Sequence, residues 1–490
     1  MKILAIDEGT SSTRAIVFDE QLKACGKAQF PIQSHHTQSG WVEQDALEIW
    51  HKTLEACEKA IENAGLQWKD ITGIGITNQR ETTVIWDKQT GQPIHRAIVW
   101  QSKQSLAICN SWKKSGYETK TLKKTGLPID PYFSASKIKW LLDQYDPKRK
   151  IAGSGQWLAG TIDTWLLWKL SGGRIHATDT SNASRTMVYN IHDLKWDAEL
   201  CSLFEIPMAL LPEVLNSSGN LGHTDAAITN GISVPINAAI GDQQSALFAQ
   251  QCFEKGQAKN TYGTGCFMLM NVGEKPAQPK YGLLSTVAWT IENQTTYALE
   301  GSVMVGGLAV QWLRDNLNAF ENSNDIELLA QQAKKNNELI VIPAFYGIGT
   351  PYWDNKVKGT IIGINSDTNL ADIAYSVLQA LAFQCEDVMQ SMRKAGKTKL
   401  DSLKVDGGAT SNQLLMQMQA DISQIPVIIA HEVESTALGA AMLVKKAHGI
   451  PLNIDAQQSK VFYPKIKSDE STKQYQKWKN IMKKLRVLYQ

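Results

Sequence analysis

The sequence lacks several features that would assign the protein to a specialised class. Its 50 lysine and arginine residues nearly balance 48 aspartate and glutamate residues, for a formal net charge of +2. A protein that binds nucleic acid or an anionic membrane surface usually carries a larger basic excess. No uninterrupted apolar run approaches the 18 or so residues of a membrane-spanning helix. We therefore expect no nucleic-acid partner and no stable membrane insertion.

Cysteine is sparse, and the spacings typical of metal sites are missing. The seven cysteines include no C-x-x-C pair and the nine histidines no H-x-x-x-H pair, so the sequence gives no support for structural zinc. Scattered cysteines in an odd number suit a reducing compartment, where they act as small buried apolar groups. Asp7 and Glu8 end the first apolar run before it could serve as a signal peptide. We expect a cytoplasmic protein.

Several well-known catalytic motifs are also absent. The chain has no G-x-x-x-x-G-K-[ST] loop and neither the H-R-D nor the D-F-G motif of protein kinases. It has no G-x-S-x-G turn either, which argues against a serine hydrolase. Any phosphate-binding function must therefore use another kind of turn.

Length and pattern predict two domains. At 490 residues the chain is too long for a single core. Strand-like runs alternate with helical patterns such as Ala46–Ala64, and a strand–polar turn–strand unit occurs near residue 10 and again near residue 264. These patterns predict an α/β fold in which one architecture is used twice, with a boundary near 240–255. No proline-rich linker marks that boundary, so we expect closely packed halves with a hinge.

The first polar turn, in DEGTSSTR, combines several groups that suit an anion. Gly9 lets backbone amides turn towards a phosphate, and Arg14 is a forked cation. Thr10, Ser11 and Ser12 add hydroxyl donors. A tight turn that satisfies its own backbone is the alternative interpretation.

The second turn, in NTYGTGCF, favours the phosphate-binding interpretation. It places another Gly–Thr turn between two strands, in the other half of the chain. Two such turns could grip the phosphates of a nucleotide from both sides. Asp7, at the end of the first strand, could hold a hydrated magnesium ion, which prefers few carboxylates and several waters.

Eight separated motifs, in consistent order from Ile3 to about Lys446, resemble the FGGY carbohydrate kinase family. They are DEGTSSTR, GITNQRETT, AIVWQ, IDPYFS, GDQQSALF, YGTGCFMLMN, VQWLRD and VDGGATSNQLLMQ. The resemblance implies an α/β fold of two actin-like (ribonuclease H-like) ATPase domains with a cleft between them. Residues 1–248 would form an N-terminal domain that binds glycerol and holds the catalytic base, and residues 249–490 a nucleotide-binding C-terminal domain.

The same resemblance implies an activity and its cofactors. It implies ATP-dependent phosphorylation of glycerol to sn-glycerol 3-phosphate by direct in-line transfer, the first step of glycerol catabolism, with ATP/ADP and Mg²⁺. We also expect a homodimer or homotetramer. One alternative is a pentulose or sugar-acid kinase; another is an actin-like ATPase that serves as a chaperone or filament module. The QRET motif with Trp100 and Phe267 argues against a bulkier sugar.

On the acceptor side, the resemblance implies a set of glycerol contacts. They are Arg80, Glu81, Trp100, Tyr132, Asp242, Gln243 and Phe267. Arg80, Glu81 and Tyr132 would contact hydroxyl groups, the other two aromatic rings would form apolar walls, and Asp242 would be the catalytic base. The alternatives are a surface ion pair between Arg80 and Glu81 and ordinary core positions for the aromatic residues.

On the nucleotide side, the resemblance implies contacts from both halves of the chain. They are Thr10, Ser11, Ser12, Arg14, Thr264, Gly265, Gly307, Gln311, Gly408 and Asn412, with Asp7 as the metal ligand. The family usually has glutamine where this sequence has Glu8. An additional carboxylate beside Asp7 would tighten magnesium binding or shift its pH dependence.

The basic tail KQYQKWKNIMKKLRVLYQ is amphipathic. It places Trp478, Ile481, Leu485 and Leu488 at helical spacing. A membrane or partner helix is one interpretation, but amphipathicity is the ordinary pattern of a surface helix. We therefore expect a terminal helix packed on its own domain.

Overall fold

The computed structural model describes residues 1–334, 338–429, 434–452 and 460–489. Within these ranges no helix is both long and apolar enough to cross a membrane. The strands are β1 (Ile3–Glu8), β2 (Ser12–Phe18), β3 (Ala24–Pro31), β4 (Ser34–His35), β5 (Glu43–Gln44), β6 (Gly73–Asn78), β7 (Val84–Asp87), β8 (Ala97–Ile98), β9 (Trp157–Gly160), β10 (Ala177–Asp179), β11 (Tyr189–Asn190), β12 (Lys195–Trp196), β13 (Glu213–Leu215), β14 (Ser218–His223), β15 (Pro235–Gly241), β16 (Ala258–Tyr262), β17 (Cys266–Gly273), β18 (Leu284–Ile291), β19 (Gln294–Val303), β20 (Ile340–Ile342), β21 (Thr360–Ile362), β22 (Leu403–Asp406), β23 (Val427–Ile429) and β24 (Lys460–Phe462).

Helices alternate with these strands in both halves of the chain. They are α1 (Ala46–Asn63), α2 (Leu106–Lys114), α3 (Glu118–Thr125), α4 (Ser134–Tyr145), α5 (Lys150–Gly153), α6 (Ile162–Leu170), α7 (Thr180–Ala183), α8 (Ala198–Leu203), α9 (Asp242–Ala249), α10 (Gly307–Asp315), α11 (Ile326–Ala330), α12 (Leu370–Gly396), α13 (Gln413–Ser423), α14 (Ser435–Ala447) and α15 (Ser468–Leu488). The α/β character predicted from the sequence is thus present in both halves.

A thirteen-stranded mixed sheet runs through the described part of the molecule. Its order is β24-β23-β22-β16-β17-β19-β18-β14-β15-β6-β1-β2-β3. The first seven strands come from the second half of the chain and the last six from the first half. The two groups meet where Ser218 of β14 pairs with Ile291 of β18. The sheet therefore consists of two units that share a narrow seam.

The two predicted strand–turn–strand units occupy equivalent places in the two units. β1 and β2 pair antiparallel, with Asp7 opposite Arg14. β16 and β17 pair in the same way, with Tyr262 opposite Cys266. In each unit the first strand of the hairpin also pairs in parallel with a neighbour, β1 with β6 and β16 with β22. One architecture is used twice, as the sequence predicted.

The central strand β1 shows why an unbroken apolar run marks the middle of the sheet. All four residues from Ile3 to Ile6 are fully buried. Helix α1 contacts β1, and α14, which comes from the second half of the chain, also packs against it. A strand covered on both faces reads as a continuous hydrophobic run rather than an alternating one.

Helices α9 and α14 connect the two units beside the seam. Gly439 of α14 approaches the backbone of α9 so closely that a Cβ there would lie 2.1 Å from the carbonyl oxygen of Ser245. The Ser245 hydroxyl also donates to the carbonyl oxygen of Thr436 at 2.7 Å. This crossing holds a helix of the second half against the strands of the first.

The C-terminal helix α15 packs on its own half of the chain, as expected. Trp478, Met482 and Leu485 are buried, and the Trp478 ring stacks on Phe383 with centroids 5.3 Å apart. Met482 takes the place expected for Ile481, and Leu488 is 77% exposed because it lies in the last turn of the helix.

The close helix crossing predicts a stability effect. We expect Gly439→Ala to lower the free energy of unfolding by about 1–3 kcal/mol, because the added methyl group must displace a backbone carbonyl. The matched control is Gly153→Ala in α5, where nothing lies within 4 Å of the added Cβ. Alanine is also the better helix former, so the control should lose nothing. Urea denaturation measures both, and equal stability of the two variants would contradict the described contact.

Candidate active site

The carboxyl ends of three parallel strands form one edge of the candidate site. The register places Asp7 of β1 beside Thr77 of β6, and Thr77 beside Ile240 of β15. β6 leads into the TNQRE segment, and β15 leads directly to Asp242, the first residue of α9. Because parallel strands end at the same edge of a sheet, the segments that follow them gather there.

A small polar pocket lies at this edge. Its volume is about 60 Å³, and it is lined by Thr10, Gln79, Arg80, Glu81, Trp100, Tyr132, Asp242, Gln243 and Phe267. The structure thus brings together every residue expected on the acceptor side. Phe267 follows the second Gly–Thr turn, so both halves of the chain contribute to the lining.

Arg80 and Glu81 do not form the surface ion pair considered as an alternative. Their exposed fractions are 4% and 1%. Arg80 donates from Nη1 to Glu300 Oε2 at 2.5 Å, and its Nε lies 3.2 Å from Asp242 Oδ1. Arg185 donates from Nε to Glu81 Oε1 at 2.6 Å and from Nη2 to Glu300 Oε1 at 2.9 Å. Arg80 and Glu81 therefore belong to a cluster of two guanidinium groups and three carboxylates, of which Asp242 is partly exposed.

The surroundings of these groups set their charge states. Burial opposes ionisation of Glu300, but Arg185 and Arg80 outweigh it and lower the pKa of this carboxyl to about 2. Burial raises the pKa of the Tyr132 phenol, and the negative charge of Glu81 raises it further. Glu300 is consequently an anion, and Tyr132 keeps its proton and can donate a hydrogen bond.

The aromatic wall of the pocket is joined to the first polar turn. Trp100 donates from Nε1 to Thr10 Oγ1 at 2.8 Å, and its ring meets the Tyr132 ring edge-on with centroids 5.6 Å apart. The Gln44 amide also donates to the carbonyl oxygen of Thr10 at 2.5 Å. Thr10, expected only among the nucleotide contacts, thus lines the same pocket as the residues expected on the acceptor side.

The remaining hydroxyl groups of the first turn differ in availability. The Gly9 amide donates to the carbonyl oxygen of Ser12 at 3.0 Å, so part of the turn does satisfy its own backbone. The Ser12 hydroxyl accepts a hydrogen bond from Gln29 Nε2 at 2.8 Å. Ser11 is exposed. Of the three hydroxyl residues, Ser11 is the most open to a ligand.

Asp7, the expected metal ligand, contacts residues from both halves of the chain. Its Oδ2 accepts a hydrogen bond from Thr436 Oγ1 at 2.6 Å and lies 4.0 Å from Arg14 Nη1. Arg14 also forms an ion pair with Glu434, from the second half of the chain. Burial raises the pKa of Asp7, with Asp242 adding to the rise while Thr436 and Arg14 oppose it.

The ligands near Asp7 fit magnesium better than a metal that takes most of its ligands from protein side chains. Among the described residues no group of three or more His, Cys, Asp and Glu side chains could hold a metal ion. Asp7 and Asp242 offer two partly exposed carboxylates. Magnesium keeps several waters and is commonly held by one or two carboxylates plus phosphate oxygens.

The structure separates Glu8 from Asp7. Successive side chains of a strand point to opposite faces, and Glu8 is fully buried, accepting a hydrogen bond at Oε2 from Gln79 Nε2 at 3.1 Å. Burial raises the pKa of Glu8 well above its usual value, Gln79 opposes the rise and Asp7 adds to it. These contacts do not support the expected effect of Glu8 on magnesium.

In the second unit, the Gly–Thr turn is bound to the start of α10. The amides of Gly306 and Gly307 donate to the carbonyl oxygens of Thr264 and Gly263 at 2.7 and 2.8 Å. Gly265 completes the turn, with its carbonyl oxygen accepting from the Gly263 amide at 2.9 Å. Gln311 lies one turn further along α10.

Gly408 and Asn412 lie next to the same turn. A Cβ on the preceding residue, Gly407, would lie 2.4 Å from the carbonyl oxygen of Tyr262, and its φ of +93° suits glycine. Gly408 begins a short 3₁₀ segment, and Asn412 caps α13 by accepting from the Leu415 amide at 2.8 Å. The expected nucleotide contacts of this half therefore converge on one region.

Several residues in and around the pocket were not identified from the sequence. They are Gln79, Arg185, Gln244, Lys259 and Glu300. Lys259 is fully buried and donates to Gln243 Oε1 and, at 2.7 Å, to Thr261 Oγ1. Burial lowers its pKa, with Asp406 and Asp242 opposing. Lys259 and Glu300 are the single charged residues of β16 and β19, which is a weak signal because both strands also contain other polar residues.

Both halves of the chain match models of one protein family. Residues 2–249 match the FGGY family of carbohydrate kinases, N-terminal domain, and residues 258–447 match its C-terminal domain. Glycerol kinase 2 of Thermotoga maritima is 48% identical over 482 residues, covering 97% of each chain.

Solved structures show the same fold. The crystal structure of Plasmodium falciparum glycerol kinase with ADP matches with a TM-score of 0.93 and 32% identity, covering 99% of this chain and 98% of that one. A gluconate kinase from Lactobacillus acidophilus matches with a TM-score of 0.85 at 22% identity, covering 100% and 96% of the two chains. The latter similarity concerns the fold alone.

The position of Glu8 leads to a prediction about the metal. We expect Glu8→Gln to leave the magnesium concentration for half-maximal activity unchanged within about twofold, because the two side chains lie on opposite faces of β1. Asp7→Asn, which alters the expected ligand itself, is the comparison and should raise that concentration. Magnesium titrations of both variants measure the effect; a shift in Glu8→Gln as large as that in Asp7→Asn would contradict the separation.

Proposed function

This chain belongs to the FGGY family of carbohydrate kinases, and from that membership we propose that it transfers the γ-phosphoryl group of ATP to glycerol, giving sn-glycerol 3-phosphate. The observation that carries the proposal is the pocket in which Arg80, Glu81 and Tyr132 lie beside the Asp242 carboxylate. Glycerol kinases that align with almost the whole chain support the choice of acceptor. The reaction would be the first step of glycerol catabolism.

We assign acceptor binding and the catalytic base to residues 1–248, and nucleotide binding mainly to residues 249–490. The family matches to residues 2–249 and 258–447 support this division. The first polar turn would contact the phosphates from the N-terminal side, and the Thr264 turn from the other. Phe267 reaches the acceptor pocket from the second domain.

The size of the pocket supports a small acceptor. Its volume of about 60 Å³ is far below the roughly 300–1,000 Å³ of sites for drug-sized ligands. Trp100 and Phe267 leave little room beside the carbon backbone of a three-carbon polyol. A pentulose or a sugar acid would need a larger pocket, which disfavours the sugar-kinase alternative. The polar lining likewise disfavours an ATPase without an acceptor.

Asp242 is suited to accept the proton of the attacking hydroxyl group. Both contacts described for its carboxylate use Oδ1, which lies 3.2 Å from Arg80 Nε and accepts from the Gln243 amide at 2.7 Å. Oδ2 is thereby available to a substrate hydroxyl. As the alcohol oxygen attacks phosphorus, this carboxylate takes its proton and makes the oxygen a competent nucleophile.

The rest of the site would position and stabilise rather than react. Phosphoryl transfer needs in-line placement and charge stabilisation, which the two polar turns and Arg14 are placed to give. Magnesium held by Asp7 would neutralise charge on the phosphate oxygens. We propose direct transfer with no phosphoenzyme, because Asp242 serves as base and not as nucleophile.

Burial of charge in the pocket explains the selection of a polyol. Arg80 and Glu81 have protein partners on one side and face the pocket on the other. An analogue that lacks the matching hydroxyl groups would leave part of their hydrogen-bonding capacity unsatisfied, at a cost of about 1–3 kcal/mol for each group.

We further propose a cytoplasmic location, which is supported by seven cysteines that are all free thiols. A homodimer or homotetramer stays a prediction.

The proposed activity predicts which acceptors stimulate turnover. In a coupled ADP assay we expect glycerol to accelerate ADP release strongly, while xylulose, gluconate and the absence of an acceptor give only background rates. The small pocket is the physical reason. A rate highest with xylulose or gluconate would establish the sugar-kinase alternative, and ATP turnover indifferent to every acceptor would establish the ATPase.

The role of Asp242 predicts a loss of turnover without loss of binding. We expect Asp242→Asn to lower kcat by about 10²–10⁴-fold, the range of general base catalysis, while the retained amide oxygen keeps an acceptor for Arg80. The control is Asp225→Asn, whose carboxylate lies 3.2 Å from Arg174 outside the pocket. Steady-state kinetics and glycerol calorimetry measure the two effects; activity of Asp242→Asn within about tenfold of the parent would rule out this base.

A further inference from the structure

We propose that Glu300 and Arg185 are positioning residues that hold Arg80 and Glu81 in the orientation needed to bind the acceptor hydroxyl groups. Neither is among the described residues that line the pocket, so both act through the two ligands. The inference rests on the proposed function, because it concerns how that same pocket selects glycerol.

The contacts form a continuous chain of four side chains. Glu300 uses a different oxygen for each arginine, Oε2 for Arg80 at 2.5 Å and Oε1 for Arg185 at 2.9 Å. Arg185 then donates to Glu81 Oε1 at 2.6 Å. Two ligands that are neighbours in sequence are thus connected through two residues far from them in the chain. Because guanidinium and carboxylate groups are planar and forked, such contacts fix orientation as well as distance.

The backbone at Glu81 makes this support necessary. Its φ is +61°, in the left-handed region that costs a residue with a side chain energy unless its surroundings hold it there. The Ser134 hydroxyl donates to the carbonyl oxygen of Glu81 at 3.1 Å, and the Arg185 ion pair holds its side chain. Without the ion pair, Glu81 would lose the contact that sets the direction of its carboxylate.

The burial of the two supporting residues indicates a positional role. The side chains of Arg185 and Glu300 have no exposed surface, and buried ion pairs often contribute little net stability compared with apolar packing. Arg185 also packs against aromatic rings. Its guanidinium lies 5.7 Å from the centroid of the Tyr132 ring and 5.4 Å from that of the Phe133 ring. Arg185 therefore contacts two residues of the pocket lining, Glu81 and Tyr132.

Glu300 brings the second unit into acceptor binding. It lies on β19, paired with Leu269 of β17 and Leu284 of β18. Arg80, Glu81 and Arg185 all belong to the first half of the chain. Strand β19 of the second unit therefore provides the Glu300 carboxylate, which orients Arg80 directly and Glu81 through Arg185.

The test compares three variants of the full-length enzyme. Glu300→Gln removes the negative charge that connects Arg80 and Arg185. Arg185→Lys keeps a positive charge but lacks the forked guanidinium that contacts both Glu81 and Glu300. The control is Glu386→Gln on α12, a glutamate that is 2% exposed and accepts from Arg393 Nη1 at 2.7 Å. KM for glycerol, KM for ATP and kcat are measured, together with the glycerol-induced shift in thermal unfolding temperature.

We expect KM for glycerol to rise about tenfold or more in Glu300→Gln and in Arg185→Lys, with KM for ATP within about twofold of the parent. The glycerol-induced thermal shift should shrink in both, and the control should change none of these values. A merely structural role would lower stability without separating the two KM values.

Three outcomes would overturn the inference. They are an unchanged KM for glycerol in Arg185→Lys, a parallel rise in both KM values, and the same rise in Glu386→Gln. If Glu300→Gln does not fold, Arg185→Lys decides, because it retains the charge of the cluster. A parent enzyme that fails to phosphorylate glycerol would refute the proposed function and this inference with it, whereas an active parent with unaltered variants would refute the inference alone.

Discussion

The parallel register of β1, β6 and β15 is the constraint on which the site depends. It aligns Asp7, Thr77 and Ile240 across three neighbouring strands, so the proposed metal ligand, acceptor ligands and base lie at or directly after adjacent strand ends. A slip of one residue would turn each side chain to the other face of the sheet. The continuous apolar run of β1 and the helices on both of its faces hold this register.

The second requirement is that the two units act together. Helix α14 of the second half packs on the strands of the first, with Gly439 in close contact with Ser245. Phe267 of the second unit lines the pocket, Glu300 of the second unit contacts the pocket residue Arg80, and Trp100 contacts Thr10 of the first polar turn. The pocket is thus shared between the two halves of the chain.

Much of this arrangement could be predicted from the sequence, and the reasons are local. The two hairpins follow from apolar runs on either side of Gly–Thr turns. The pocket residues were identified by resemblance, because Arg80 and Glu81 alone are more typical of a surface ion pair. The order of the eight motifs along the chain favoured a ligand-binding role over a surface ion pair.

What could not be predicted depends on distant partners. Glu300 lies 220 residues from Arg80, and Arg185 lies 104 residues from Glu81. Each is a single charged residue in its segment, so no periodicity or spacing marks it. The positive φ of Glu81 and the opposite directions of Asp7 and Glu8 likewise depend on the folded backbone. The most direct test of the account is a crystal structure with glycerol, magnesium and a non-hydrolysable ATP analogue. We predict one glycerol hydroxyl oxygen within about 3.2 Å of Asp242 Oδ2 and in line with the γ-phosphorus; glycerol bound outside this pocket, or a water layer between it and Asp242, would contradict the account.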